Sequence, residues 1–306
     1  MSNNIDLSVN IAGITFNNPV IMASGTYGFG REYGEYVDLN ALGGISVKGL
    51  TLKERAGNPP PRIAETPGGI LNSVGLQNPG VEAFKEHDLP FLKKYNTRII
   101  ANISGNTIEE YCKMAEILGD SEVAALELNV SCPNVKAGGM AFGTDPRLIE
   151  EITSEVKKYC RQPLIVKLSP NVGDIKIMAR AAEAAGADGI SLINTLLGMA
   201  IDIHRRRPIL ANNFGGLSGP AVKPVAVRMV YEAANAVKIP VIGMGGISNS
   251  DDAIEFLLAG ATAVMVGTAN FVNPTVPVEI LQGLKDYMEN YGLNSLKELT
   301  GALELN

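Results

Sequence analysis

The chain has 306 residues, 46% of them apolar and 33 of them glycine, and a formal net charge of −6. This suits one globular α/β domain over residues 1–306, with no Ser/Pro/Gly linker, charge block or low-complexity run to divide it. The acidic balance argues against nucleic acid as a partner, no run approaches the roughly 18 apolar residues of a membrane span, and three cysteines without Cys-x-x-Cys spacing suggest a reducing compartment and no bound metal.

Met1 to Asp6 lacks the basic and apolar regions of a signal peptide, so a cytoplasmic location is expected. Leu7 to Ile11, Gly13 and Ile14 to Phe16 read as a short hairpin closing the floor of a barrel. Apolar runs of strand length follow: Val20–Gly25, Gly44–Gly49, Ile99–Ser104, Ala124–Leu128, Leu164–Leu168, Gly189–Thr195, Val241–Gly246 and Ala263–Thr268. Near-continuous apolar character without alternation marks parallel strands buried on both faces. Helical patterns lie between most of them, at Thr107 to Leu118, Pro146 to Tyr159, Ile175 to Ala185, Lys223 to Val237 and Ser250 to Leu258. Eight such units predict a (β/α)8 TIM barrel, with the N-terminal hairpin and extra elements in the loops at its C-terminal face.

Active sites of such barrels lie at the C-terminal strand ends. Here these ends carry Ser24, Lys48, Asn102, Asn129 followed by Cys132, Lys167, Asn194 with Thr195, Gly245–Gly246 and Gly267–Thr268. One polar residue opening a loop is ordinary. Two lysines and three asparagines converging on one rim predict a single polar pocket. Lys167, between Val166 and Leu168, reads as a charge that needs an anionic or polar partner rather than as a surface lysine. The glycines after strands seven and eight predict a phosphate site, because they let a ligand approach backbone N–H groups at a helix start. Gly28–Gly34 has the wrong spacing for a dinucleotide fingerprint and reads as a turn.

Cys112 and Cys160 read as inert small residues on helices. Cys132 differs: it lies just past a strand end and leads into the glycine-rich Lys136–Gly143 segment, which is suited to a lid. Its position favours a functional thiol. His87 and His204 lie away from the strand ends, so no histidine base is expected. The His204–Arg207 cluster reads either as a solvated loop or as an edge of a lid or docking surface.

At these residues the sequence resembles the dihydroorotate dehydrogenases, flavoenzymes of pyrimidine biosynthesis, from about Leu7 to Leu284. The most specific pieces are Asn129–Asn134, Leu71–Gly80 and Gly57–Arg62. Cysteine at 132 resembles the soluble class; the membrane-bound class carries serine there and an N-terminal anchor. Gly215–Pro224 and Gly267–Pro274 resemble the NAD-dependent subtype, class 1B. That resemblance implies FMN on this chain and an iron-sulfur flavoprotein subunit carrying FAD and a 2Fe-2S cluster. It further implies a heterotetramer of two catalytic and two electron-transfer chains, with NAD as final acceptor. The chain itself has neither a cysteine cluster nor a dinucleotide fingerprint.

For the site, the resemblance implies that the FMN phosphate takes Gly219, Gly245, Gly246, Gly267 and Thr268. Ser24, Gly49 and Asn102 are implied at the isoalloxazine or ribityl region, with Lys48, Asn129 and Ile193 in the same cofactor site and Lys167 by the pyrimidine edge. Dihydroorotate is implied against Asn72, Asn129, Asn134, Asn194 and Thr195, with its carboxylate on Lys48 and the Ser73, Val74, Gly75 and Leu76 segment. Hydride would pass from C6 to the flavin while Cys132 removes the C5 proton. Three rivals stay open. They are a fumarate-dependent class 1A enzyme without a partner subunit, a Schiff-base lyase using Lys167, and a non-catalytic phosphate-binding barrel.

Overall fold

The computed structural model describes residues 5–131 and 142–306. Eight parallel strands close a barrel: β1 Val20–Met22, β2 Gly44–Ser46, β3 Arg98–Ile103, β4 Ala125–Asn129, β5 Leu164–Lys167, β6 Gly189–Leu192, β7 Val241–Met244 and β8 Ala263–Val266. Neighbours follow chain order, and the ring closes where Val264 of β8 lies beside Val20 of β1. The TIM barrel expected from the sequence is thus the fold found. Most of these strand positions are buried, which is why their sequences run apolar without alternation.

The larger outer helices are α1 Ile108–Gly119, α2 Pro146–Lys157, α3 Ile175–Ala184, α4 Lys223–Ala234, α5 Ser250–Leu258 and α6 Val276–Asn290. Four of them begin at side-chain caps. Thr107, Asp145, Asp174 and Asn249 accept from the N–H groups of Glu110, Arg147, Lys176 and Asp252. Each cap contributes about 1 kcal/mol and fixes where the loop from the preceding strand must end. Cys160 corrects one expectation: it lies beyond the end of α2, its Sγ 3.2 Å from the Val156 carbonyl.

The hairpin Val9–Ile11 with Ile14–Phe16 forms as expected. Phe16 is fully buried, its ring close enough to Gly44 that a Cβ there would approach it to 3.1 Å. Arg98 Nε donates to the Thr15 carbonyl at 2.8 Å. The hairpin therefore sits under the starts of β2 and β3. At the opposite end, the β2–β3 and β6–β7 connections form a four-stranded antiparallel sheet in the order Leu196–Gly198, Gly215–Ser218, Gly69–Asn72, Ile63–Thr66. It holds the two excursions together through pairs such as Leu217 with Leu71.

Candidate active site

Lys167 ends β5 and is only 4% exposed. Its ammonium lies 3.3 Å from Ser24 Oγ, beyond the end of β1, and makes no ion pair among the described residues. A buried ammonium with one neutral partner is costly, and an anionic ligand offsets that cost. Asn129 ends β4 in register with Lys167. Its amide oxygen accepts from Asn194 Nδ2 at 3.2 Å and from the Ser131 N–H at 3.3 Å, so the donor end of Asn129 is what it can offer a ligand. Tyr111 clamps the strand end from α1, its hydroxyl donating to the Asn129 carbonyl at 2.9 Å.

Asn194 and Thr195 follow β6. The Asn194 Oδ1 accepts from the Thr195 N–H at 2.8 Å. Asn171, which the sequence did not single out, braces this segment: its amide donates to the Thr195 carbonyl at 3.1 Å and accepts from the Leu197 N–H at 3.0 Å.

Lys48 follows β2, its N–H bonded to the Gly28 carbonyl at 3.0 Å. Burial, and then the positive charge of Arg62, pull its pKa below the usual lysine value. The Ser73–Leu76 segment lies against the next residue, because a Cβ on Gly49 would meet Leu76 at 3.4 Å. Asn78 pins that segment: its amide donates to the Leu76 carbonyl at 2.6 Å and to Thr51 Oγ1 at 2.8 Å, and accepts from the N–H groups of Thr51 and Gly80. Asn72 is held by a 3.4 Å bond from its amide to the Gly216 carbonyl.

The glycine side is built differently. Gly219, Gly245 and Gly246 all have positive φ. A Cβ on Gly246 would stand 2.8 Å from the Gly219 carbonyl oxygen and 3.0 Å from the Lys223 nitrogen, so no side chain fits there. Thr268 Oγ1 donates to Ser218 Oγ at 2.9 Å, which joins the loop after β8 to this cradle. Lys223 opens α4 but turns to Asp252 at 2.7 Å and Glu255 at 2.6 Å. Burial alone would raise the Asp252 pKa; the bonds from Lys223 and Ser248 outweigh it and hold the carboxyl below its ordinary value.

Glu127 interrupts an apolar run, yet it is fully buried and points into the barrel. Its place two residues before Asn129, on the same strand face, was the available signal. Cys132 and Asn134 lie outside the described residues, as does the lid segment up to 141. The described end of that segment returns to the barrel: the Gly143 N–H donates to the Val130 carbonyl at 2.9 Å, and Phe142 meets Tyr111 edge to face. The other expected residues gather at the mouth. A backbone cradle without side chains, a buried lysine with only a neutral partner and an Asn102 Oδ1 with none, each among the described residues, fit an elongated ligand with a phosphate at one end and a polar ring at the other.

A sequence profile described as dihydroorotate dehydrogenase matches residues 6–288. The chain is 64% identical over 299 residues to the dihydroorotate dehydrogenase B (NAD(+)), catalytic subunit, of Alkaliphilus metalliredigens, covering 98% of this chain and 99% of that protein. It is 63% identical to the protein of the same name from Alkaliphilus oremlandii, covering 97% and 99%. For that of a Thermoanaerobacter species the identity is 59%, covering 99% and 100%. Among solved structures it is similar to DHODH from Eimeria tenella in complex with ferulenol, with a TM-score of 0.83 over 98% of this chain and 89% of that one. At 23% identity this last likeness concerns the fold.

Proposed function

The chain belongs to the dihydroorotate dehydrogenase family, and on that premise we propose that it is an FMN-dependent catalytic chain that oxidises dihydroorotate to orotate in pyrimidine biosynthesis. The observation that carries the assignment of roles is Lys167, buried with no counter-ion among the described residues, at the same mouth as the side-chain-free cradle of Gly219, Gly245 and Gly246. FMN, when bound, supplies a two-electron acceptor for the hydride from C6. Everything else is the task of the chain's own residues.

Gly219, Gly245, Gly246, Gly267 and Thr268 would offer N–H groups to the phosphate at the start of α4. Ser24, Lys48, Gly49, Asn102, Asn129 and Ile193 would line the remainder of the cofactor. Lys167 would hold a fixed positive charge where negative charge develops on reduction. Asn72, Asn129, Asn134, Asn194 and Thr195 match a ring rich in donors and acceptors, because each amide offers both. Lys48 and the Ser73–Leu76 segment would take the substrate carboxylate. The Cys132 thiolate would remove the C5 proton, so that activity rises with pH toward the thiol's own pKa.

The names of the relatives favour the NAD-dependent type over the fumarate-dependent one. We therefore place FAD and a 2Fe-2S cluster on a partner subunit, in a heterotetramer of two chains of each kind, located in the cytoplasm. No helix among the described residues is long and apolar enough to cross a membrane. The test is anaerobic rapid mixing of the FMN-loaded chain with dihydroorotate, followed at the flavin absorption band. C132A should keep its colour and bleach about a hundredfold or more slower than the parent. Full-speed bleaching in C132A would remove the thiol from the mechanism, and a folded parent that takes up no FMN would overturn the proposal.

A further inference from the structure

The proposed chemistry leaves Glu127 without a task, although this carboxylate sits fully buried in the middle of the barrel. Burying a carboxylate is costly, and well-packed apolar side chains fill such a space at no loss of stability. Glu127 points inward from β4 and accepts three hydrogen bonds: from Ser46 Oγ on β2 at 2.8 Å, from Asn102 Nδ2 on β3 at 2.6 Å and from Ser191 Oγ on β6 at 2.7 Å. All three partners are fully buried.

A carboxylate accepts and does not donate. It therefore selects one of the two orientations open to the Asn102 amide, nitrogen toward Glu127 and oxygen away. That oxygen is buried and finds no partner among the described residues, and the same holds for Ser104 Oγ two positions on. Both lie beside Gly49, where a Cβ would stand 2.9 Å from Asn102 Oδ1 and 3.5 Å from Ser104 Oγ. An unmet acceptor in a barrel core costs stability until a donor arrives.

We propose that Glu127 is a positioning residue, whose carboxylate fixes the Asn102 amide so that its carbonyl oxygen accepts a hydrogen bond from an N–H or O–H of the bound flavin. The inference rests on the FMN reading above. With the amide reversed, Asn102 would present N–H groups to that same donor, and two donors cannot bond. Glutamine at 127 preserves the arrangement: its oxygen accepts from Asn102 and Ser46, and its nitrogen donates to the Ser191 hydroxyl, which turns to accept.

The test is a double-mutant cycle between positions 127 and 102, read by FMN dissociation from the reconstituted chain through recovery of flavin fluorescence. E127Q should bind FMN within about threefold of the parent, and E127L about tenfold or more weakly. Acting through Asn102, E127L should cost nothing further in an N102A background. E127D, which keeps the charge but withdraws it by one methylene, runs the same cycle if E127L does not fold. With N3-methyl FMN the E127D penalty vanishes if the donor is the ring imide and persists if it is a ribityl hydroxyl. Equal losses from E127D with and without Asn102, or a loss in E127Q as large as that in E127D, would overturn the inference. A parent chain that binds no FMN would instead overturn the cofactor reading, so the two failures are distinct.

Discussion

On the β7–β8 side of the mouth the chain presents backbone, at Gly219, Gly245 and Gly246, all held with positive φ and closed to any side chain. On the β2–β6 side it presents side chains: Lys48 and Asn72 from one excursion, and Asn129, Lys167 and Asn194 from successive strand ends. On the proposed function the first half would recognise its ligand by main-chain N–H groups whose direction the fold fixes, so its tolerance for change is near zero. The second half would recognise it by groups that the apo protein holds at a cost, since a buried ammonium without an anionic partner is costly. One half should therefore lose fold and ligand together, and the other should trade one against the other.

The largest effect separating them is expected at Gly246→Ala. Its Cβ would press on the Gly219 carbonyl oxygen and the Lys223 nitrogen at a φ of +79°, so the variant should lose about 2–3 kcal/mol in urea unfolding and fail to take up FMN. Lys167→Met should do the opposite to the apo protein. Its unfolding midpoint should hold or rise, while FMN binding weakens about 10- to 100-fold in fluorescence titration. If Lys167→Met destabilised the apo chain as much as Gly246→Ala, the contrast between the halves would be gone.

Asp252→Asn tests the support behind the glycine half. It leaves one acceptor oxygen where the carboxylate has two, so the Lys223 bond and the Ser248 bonds cannot both persist, and it should cost about 1–2 kcal/mol at neutral pH. The Asp252 pKa is held below its unfolded value of 3.8, so its contribution is present above that value and is lost as pH falls through the folded pKa. The difference between parent and variant should narrow there.

The smallest effect should come from Lys48, on the side-chain half. Its folded pKa lies below the unfolded 10.5, so the folded state sheds a proton first as pH rises. The parent should gain stability relative to Lys48→Met between that lowered value and 10.5. Over the same window its affinity for an anionic substrate analogue should fall, because the ammonium is being lost. Parallel rather than opposed trends would remove Lys48 from the carboxylate site.

The barrel was legible in the sequence because each strand is buried on both faces, and because caps such as Thr107 and Asn249 mark where the helices begin. The gathering of Lys48, Asn129, Lys167 and Asn194 at one mouth was equally legible, since a closed parallel barrel brings all strand ends to one rim. What the sequence does not show depends on contacts remote in the chain. The pairing of Gly69–Asn72 with Gly215–Ser218 joins two excursions that share no local pattern. Glu127 looks like one polar interruption in an apolar run until Ser46, Asn102 and Ser191 are seen to converge on it from three other strands. The roles of Asn78 and Asn171 are hidden for a similar reason: each satisfies backbone groups of a neighbouring segment, and the sequence does not say which segment lies there.

Among the described residues, Phe16 lies buried beneath β2 and packed side chains fill the barrel interior, so the floor of the barrel is closed. Traffic at the proposed site would then be one-ended. A spent pyrimidine would have to back out along the route its successor uses, so orotate should block the next turnover simply by standing in the entrance.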